Sequence, residues 1–178
     1  MRRILFAALS ALFVSAHPAA AQNLTPEDVA DAYVEGVSLC ARAKTAGGGI
    51  AQLPENERAQ VTDAAPQMRA LARAPEGRPV WDVLSARGIV VISEPTDSQC
   101  DVTAYGPRVR PVFERVAEAL SAAGFTEVAT QQDPSAILRA FEHVEGERRV
   151  RVLLDGGEPG MPGRMSRFPV LVAFVSAN

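Results

Sequence analysis

Two cysteines, Cys40 and Cys100, place the strongest single constraint on how this chain of 178 residues can fold. They lie 60 positions apart, and a disulfide closing a loop of that length would stabilise a fold by ~4 kcal/mol in the chain-entropy model. The spacing is unlike the Cys-x-x-Cys motif of thiol–disulfide exchange proteins. We therefore expect a structural bridge, with an intermolecular disulfide or two free thiols as the alternatives.

The first residues predict that the chain is exported to an oxidising compartment, where disulfides form and persist. A basic tip at Arg2 and Arg3 is followed by an apolar run over residues 4–16 and then by small residues. This is the pattern of a cleavable Sec-type signal peptide, and the run is shorter than the roughly 20 apolar residues that cross a bilayer. We interpret residues 1–21 as the signal peptide and the location as periplasmic or secreted.

The charge of the mature chain disfavours nucleic acid as a partner. The whole chain has 18 Lys and Arg and 21 Asp and Glu, and loss of Arg2 and Arg3 leaves 16 minus 21, or −5. Nucleic-acid binders usually carry a basic surplus that neutralises phosphates. Residues 22–178 contain no stretch with the length and apolarity of a membrane span, and their number suits one domain with one core.

Two segments have the periodicity of amphipathic helices. Thr25-Pro26-Glu27-Asp28 combines a hydroxyl cap, a proline in the first turn and two acids, so it predicts a helix that runs to about Lys44 with Cys40 on its inward face. The apolar positions of residues 108–123 predict a second helix that lies on a sheet. Gly124 suits its left-handed end, and Phe125 is placed to close it by contacting Leu120.

Runs rich in β-branched and apolar residues predict about five strands. Four of them are residues 88–92, 100–105, 149–154 and 168–175. The segment Ala136 to Val144 has two interpretations, a helix capped at Asp133 or a strand that forms a hairpin with the next strand. We favour the hairpin, because it lets three consecutive strands form a meander.

The remaining stretch before the strands is rich in Pro, Glu, Arg and Ala. We predict that residues 45–79 form an irregular cover segment with short helices near 56–63 and 67–73. Trp81 follows among apolar neighbours, which favours a core or lid anchor over a binding platform. Together these elements predict a single α+β domain, a mainly antiparallel sheet of about five strands with two main helices packed on one face.

Few residues of the mature chain could carry ordinary catalysis. His143 is its single histidine, so one subunit cannot build a zinc site with several imidazoles, and no Gly-x-Ser-x-Gly motif accompanies it. We interpret His143 as an ordinary strand residue, and we predict neither a metal nor a cofactor. Carboxylates are abundant, for example Asp97 and Asp101 around Cys100 and the pair Glu114 and Glu118, although most such pairs are solvated surface charges.

The glycine- and proline-rich stretch from Gly156 to Arg167 is the most distinctive part of the sequence. Its backbone N–H groups could turn toward an anion beside Arg164 and Arg167, yet it lacks the Gly-Lys-[Ser/Thr] ending of a P-loop. A long connection between strands is the simpler interpretation. Arg149 and Arg151 add positive charge nearby, and with Trp81 these residues are the candidate binding positions.

Taken together, the residues favour a non-catalytic exported module of the cell envelope that binds an envelope protein, a cell-wall polymer or a small anion. The alternative is a small carboxylate-dependent hydrolase that acts in the periplasm, because a glycosidase needs only two acids that face each other across a cleft. A third class is a structural envelope component that assembles with a partner. The sequence does not choose among the ligands of such a module.

Overall fold

The computed structural model describes residues 24–72, 74–86, 88–106, 108–132, 136–157 and 170–178. Their helices are α1 (Pro26–Thr45), α2 (Glu55–Arg58), α3 (Pro66–Leu71) and α4 (Val109–Ala122), with a 3-10 helix at Ile50–Gln52. Their strands are β1 (Val61–Asp63), β2 (Val80–Val83), β3 (Val90–Thr96), β4 (Gln99–Tyr105), β5 (Thr126–Gln132), β6 (Ile137–Glu145), β7 (Arg148–Gly157) and β8 (Val170–Ala177). The predicted signal peptide lies outside the described residues.

All eight strands belong to one antiparallel sheet with the order β1-β2-β3-β4-β8-β7-β6-β5. This order consists of two four-stranded meanders, the first meander (β1 to β4) and the second meander (β5 to β8). Their last strands, β4 and β8, pair at the centre of the sheet, where Cys100 lies opposite Val175. The short strand β1 and the longer strand β5 are therefore the two edges.

The α+β class is confirmed, but the prediction of about five strands is wrong, because the described residues alone form a sheet of eight. The three additional strands are β1, β2 and β5. Two of them are edge strands, and β5 has the polar sequence Thr-Glu-Val-Ala-Thr-Gln-Gln with exposed side chains at residues 126–131. An edge strand that faces water on both sides lacks the apolar alternation by which strands are recognised.

Helix α1 begins as its sequence predicts. The backbone N–H of Asp28 donates to Thr25 Oγ1 (3.2 Å), and the backbone N–H of Thr25 donates to the Asp28 carboxylate (2.8 Å), which completes a capping box. One face of the helix is buried on the sheet, and Gly36 allows close approach, because a Cβ there would lie 3.0 Å from the Val102 side chain. The helix therefore packs tightly on β4.

Helix α4 also forms where the apolar spacing predicts it, and the sequence explains its end. Gly124 adopts a φ of +84°, which favours glycine, and the Phe125 N–H donates to the Leu120 carbonyl at 2.9 Å. Val112, Phe113, Val116 and Leu120 are buried on the same side of the helix. This side packs on the second meander next to α1.

The main core lies between the sheet and these two helices. Alternate residues of the central strands face it, among them Val102, Val152 and Ala173. The disulfide Cys40–Cys100 crosses this layer and joins α1 to β4, with a Cα–Cα distance of 5.7 Å. The predicted structural bridge is thus confirmed, and it fixes the first helix to the centre of the sheet.

The segment predicted as an irregular cover contains more regular structure than expected. The predicted helix at 56–63 stops at Arg58, and the chain then forms the edge strand β1. Helix α3 packs on the side of the sheet opposite α1, where Met68 contacts a small cluster of Ala64, Val80 and Val91. The two main helices, α1 and α4, thus share one face as expected, whereas the short helix α3 lies on the other face at the β1 end of the sheet.

The two predicted hairpins are present. Strands β3 and β4 pair with Ile92 opposite Val102, and β6 and β7 pair with Phe141 opposite Val152. The segment Ala136 to Val144 is thus a strand, which confirms the favoured interpretation. Of the predicted strand 168–175, residues 168 and 169 lie outside the described residues, and β8 covers the rest.

Candidate functional site

A cleft of about 590 Å³ opens where the C-terminal parts of α1 and α4 meet strand β6. Its apolar lining comes mainly from small residues on the two helices and from the segment after α4, namely Ala41, Ala119, Leu120, Ala123 and Phe125. Its polar lining is Ser38, Arg42, Thr45, His143 and Glu145. We call it the helix cleft; an apolar body with a few polar groups at the rim is typical of small-molecule sites.

The helix cleft exists because alanines stand where larger side chains would fill the space between the helices. Ala41 is buried on α1, while Ala119 on α4 is half-buried. Leu120 and Phe125 belong to the main core and close the bottom of the cleft. A ligand there would replace water on a surface that the fold has already shaped.

His143 is the polar group of the helix cleft whose orientation is most clearly defined. It lies on β6, and its Nδ1 is 3.0 Å from the Gly124 carbonyl oxygen. A carbonyl can only accept a hydrogen bond, so Nδ1 must carry a proton. In the neutral imidazole Nε2 then carries no proton and is a hydrogen-bond acceptor. The ring also lies against Phe125, with 5.1 Å between the ring centroids.

The charged residues at the rim differ in how they are paired. Arg42 on α1 forms an ion pair with Glu57, with its Nε 3.1 Å from the carboxylate. Glu145 follows His143 by two residues on β6 and therefore lies on the same face of the strand. Among the described residues no ion pair of the Glu145 side chain is found, although Arg148 is its cross-strand neighbour on β7.

A second, more polar cleft of about 350 Å³ lies at the end of α1, between the loop of Gly47 to Gly49 and the turn from β3 to β4. Its central groups are Lys44 and Glu94, whose side chains are only 1% and 4% exposed and whose charged atoms lie 3.3 Å apart. Arg78 and Asp97 line its mouth. We call it the polar cleft.

The buried charges of the polar cleft are extensively hydrogen-bonded. The Lys44 ammonium donates to the Gly48 and Asp97 carbonyls (3.2 and 2.9 Å) as well as to Glu94. The Glu94 carboxylate also accepts from the Ile50 N–H (3.2 Å) and from Trp81 Nε1 (3.1 Å). Because all three ammonium protons have an acceptor, this network primarily fastens the end of α1 to β2 and β3.

Trp81 therefore acts as a structural anchor at the edge of the main core, in agreement with the interpretation favoured from its apolar neighbours. It lies on β2 opposite Ile92 and is half-buried, and its indole N–H donates a hydrogen bond to the Glu94 carboxylate. Its ring packs against the main core. The candidate binding role of Trp81 stays a prediction.

The arginines singled out from the sequence are only partly described. Arg149 and Arg151 lie on β7, in a shallow depression of about 260 Å³ beside Ser176. Arg151 forms an ion pair with Glu142, which holds the pKa of that carboxyl below its usual range. Arg164 and Arg167 lie outside the described residues, so the predicted anion site in the late loop stays a prediction.

The named carboxylates are dispersed over the molecule. Asp97 pairs with Arg78 (3.0 Å), Asp101 accepts from the Gln99 amide (2.9 Å), and Glu114 pairs with Arg139 (3.2 Å). Burial raises the pKa of Asp101, and the Gln99 hydrogen bond opposes that shift. Within the described ranges, no three His, Cys, Asp or Glu side chains come together in a way that could hold a metal ion.

Sequence reasoning missed both clefts. The buried pair Lys44 and Glu94 is separated by 50 positions, and charged residues are usually solvated, so no local pattern signals it. His143 was interpreted as an ordinary strand residue, and only the hairpin of β5 and β6 brings it next to Gly124. The predicted end of α4 at Gly124 and Phe125 was the one local sequence signal that concerned a part of the helix cleft.

Two further observations bear on the setting of the site. None of the described helices combines the length and the apolar composition needed to cross a membrane. Comparison of the chain with protein-family models, with curated protein sequences and with solved structures finds no match in any of the three.

Proposed function

We propose that this protein is an exported, non-catalytic binding module that holds a small, mainly apolar ligand in the helix cleft. The observation that carries the proposal is the cleft itself, which combines a floor of Leu120 and Phe125 with an oriented imidazole at the rim. Its volume of about 590 Å³ lies within the usual range of ligand sites, roughly 300–1,000 Å³.

Export is supported by the predicted signal peptide together with the disulfide. The bridge between Cys40 and Cys100 requires an oxidising compartment to persist, which suits the periplasm or the exterior of the cell. The location is thus part of the proposal. In that setting the ligand would be a molecule of the envelope or its surroundings rather than a cytoplasmic metabolite.

Binding is favoured over catalysis by the way in which the polar groups are engaged. The ring of His143 is bonded to the Gly124 carbonyl, and among the described residues no hydrogen bond joins it to a hydroxyl that it could activate or to a carboxylate, so no Ser-His or His-Asp pair is found there. The rim adds the Ser38 and Thr45 hydroxyls and no second imidazole. These groups are suited to recognise a polar end of a ligand, while the apolar floor supplies the affinity.

The proposal can be tested with N-phenyl-1-naphthylamine, a neutral apolar probe whose fluorescence rises in apolar sites. We expect the oxidised protein to bind one probe per chain. Ala119→Phe should weaken binding at least about tenfold, because the added ring fills the cleft between the helices. Ser121→Phe is the matched control, since Ser121 is exposed on the same helix and does not line the cleft.

The proposal would be wrong if the probe did not bind, or if both phenylalanine variants weakened its binding equally while remaining folded. Circular dichroism and thermal melting of each variant separate loss of binding from loss of fold. A competing ligand from an envelope extract should displace the probe from the wild type. This displacement would then lead to the natural ligand.

The hydrolase alternative would fit best in the polar cleft. The polar cleft brings two carboxylates, Glu94 and Asp97, to one opening. However, Glu94 is fully engaged by Lys44, Ile50 and Trp81, so a substrate would have to displace bonds that hold the fold. Hydrolysis of a glycan or peptide substrate that is lost in Asp97→Asn, with no change in melting temperature, would favour this alternative over binding.

A further inference from the structure

The polar groups of the helix cleft that remain available on strand β6 are both hydrogen-bond acceptors. His143 donates its Nδ1–H to the Gly124 carbonyl, so Nε2 of the neutral ring is a hydrogen-bond acceptor. No hydrogen bond of Nε2 is found among the described residues. Glu145 adds a carboxylate on the same face of the strand. Residues two apart on a strand lie about 7 Å from each other, so one donor group can reach both side chains.

Two cations lie near the cleft, Arg42 on α1 and Arg148, the cross-strand neighbour of Glu145 on β7, and both already donate to groups of the protein. The guanidinium of Arg42 is paired with Glu57, and the α1 carbonyl of Thr45 accepts from Arg148. A ligand that carried a carboxylate would therefore meet the free Glu145 and compete with Glu57 for Arg42. A ligand that carried a positive donor would meet two acceptors and one unpaired negative charge.

We propose that the helix cleft selects an amphipathic amine, that is, an apolar ring or chain with a protonated primary amino group. In this arrangement the apolar body lies on Leu120 and Phe125, and the ammonium donates to His143 Nε2 and to the Glu145 carboxylate. This inference rests on the proposed function, because it names the chemistry of the ligand in the same cleft.

Three probes with the same apolar body test this selectivity. These are 1-naphthylmethylamine, 1-naphthalenemethanol and 1-naphthoate, which carry a positive, a neutral and a negative group. Isothermal titration calorimetry on the oxidised protein at pH 7 should give the order amine, alcohol, carboxylate. We expect the amine to bind about fivefold tighter than the alcohol, the value that corresponds to a partly exposed ion pair of about 1 kcal/mol.

Two variants assign the preference to its residues. Glu145→Gln should remove the advantage of the amine over the alcohol, whereas the control Glu147→Gln, at an exposed position in the turn beyond β6, should retain it. His143→Phe keeps a ring that can lie against Phe125 but lacks Nε2. This variant should weaken the binding of both the amine and the alcohol, since each donates a hydrogen bond to Nε2.

The outcomes separate this inference from the proposed function. If the three probes bind with equal affinity, or if Glu145→Gln keeps the amine preference, the selectivity for amines is wrong while the cleft remains a binding site. If the carboxylate binds tightest, a cation near the cleft, Arg42 or Arg148, is the recognition group and the inference is overturned. If none of the three probes binds and N-phenyl-1-naphthylamine does not bind either, both proposals fail.

Discussion

The two meanders of the sheet are built from the same number of strands but are held together in different ways. The strands of the second meander, β5 to β8, have 7, 9, 10 and 8 residues, whereas those of the first, β1 to β4, have 3, 4, 7 and 7. The first meander carries the disulfide, the buried pair Lys44 and Glu94, and the extra helix α3. The ion pairs of the second meander lie nearer the surface.

The comparison indicates that cross-links can stabilise a meander whose strands are short. A pair of short strands makes few ladder hydrogen bonds and buries little apolar surface, so it is marginal alone. In the first meander the missing contacts are replaced by a covalent bond from α1 to β4 and by a buried charge network from α1 to β3. The second meander has long ladders and leaves its corner with α1 and α4 open as the helix cleft.

The largest loss of unfolding free energy that we expect comes from breaking the buried charge network of the first meander. Glu94→Leu leaves the Lys44 ammonium without its counter-charge and the Trp81 and Ile50 N–H groups without their acceptor. Loss of one partner of a buried ion pair costs about 4 kcal/mol of unfolding free energy. Urea denaturation at pH 7 measures this value.

A double variant provides the control for this prediction. Lys44→Met combined with Glu94→Leu removes both charges, and it should be more stable than Glu94→Leu alone, because no unpaired charge then remains buried. If Glu94→Leu cost less than about 1 kcal/mol, the network would not support the first meander and the comparison between the meanders would fail.

The next largest effect concerns the disulfide. Replacing both Cys40 and Cys100 by Ala should lower the unfolding free energy by about 3 kcal/mol, within the usual range for a native bridge. Amide hydrogen exchange should then accelerate in α1 and the first meander more than in β6 and β7. Equal acceleration in both meanders would show that the bridge supports the whole sheet rather than one half of it.

Much of the fold could be predicted from local sequence, because the local and the tertiary signals agree there. The Thr25 cap, the apolar spacing of α4 and its end at Gly124 identified the two long helices. The β-branched runs identified the central hairpins β3–β4 and β6–β7. The disulfide followed from the predicted export of a chain with two cysteines.

The edge strands and both clefts could not be predicted in this way, for physical reasons. Edge strand β5 has no buried face of its own that would produce an apolar alternation. Lys44 and Glu94 are charged, and only the crossing of α1 over β3 removes them from water. His143 became a candidate because the Gly124 carbonyl, 19 positions earlier, accepts a hydrogen bond from its Nδ1–H. Contacts between residues that are distant in sequence leave no periodic pattern.

The smallest loss of unfolding free energy that we expect comes from replacing Arg139, the cation of the second meander that is paired with carboxylates as Lys44 is in the first. Its guanidinium bonds Glu127 (2.7 and 2.9 Å) and Glu114 (3.2 Å), but both carboxylates are partly exposed. Arg139→Met, which keeps an apolar stem near Phe141, should cost about 1 kcal/mol or less at pH 7. Urea denaturation compares this loss directly with that of Glu94→Leu.

The pH dependence of this loss identifies its origin. The hydrogen bonds from Arg139 hold the pKa of Glu127 below its ordinary value of 4.5, so the folded state binds this proton more weakly than the unfolded state does. The contribution is therefore fully present above pH 4.5 and is lost as the pH falls below it, through the lowered pKa of the folded state. The stabilities of the wild type and Arg139→Met should therefore approach each other as the pH falls from 4.5 and become equal below the lowered pKa of Glu127 in the folded state. A difference that persisted in acid would instead assign the effect to contacts of the guanidinium that involve no carboxylate, namely its cation–π contact with Phe141 and its hydrogen bond to the Phe113 carbonyl.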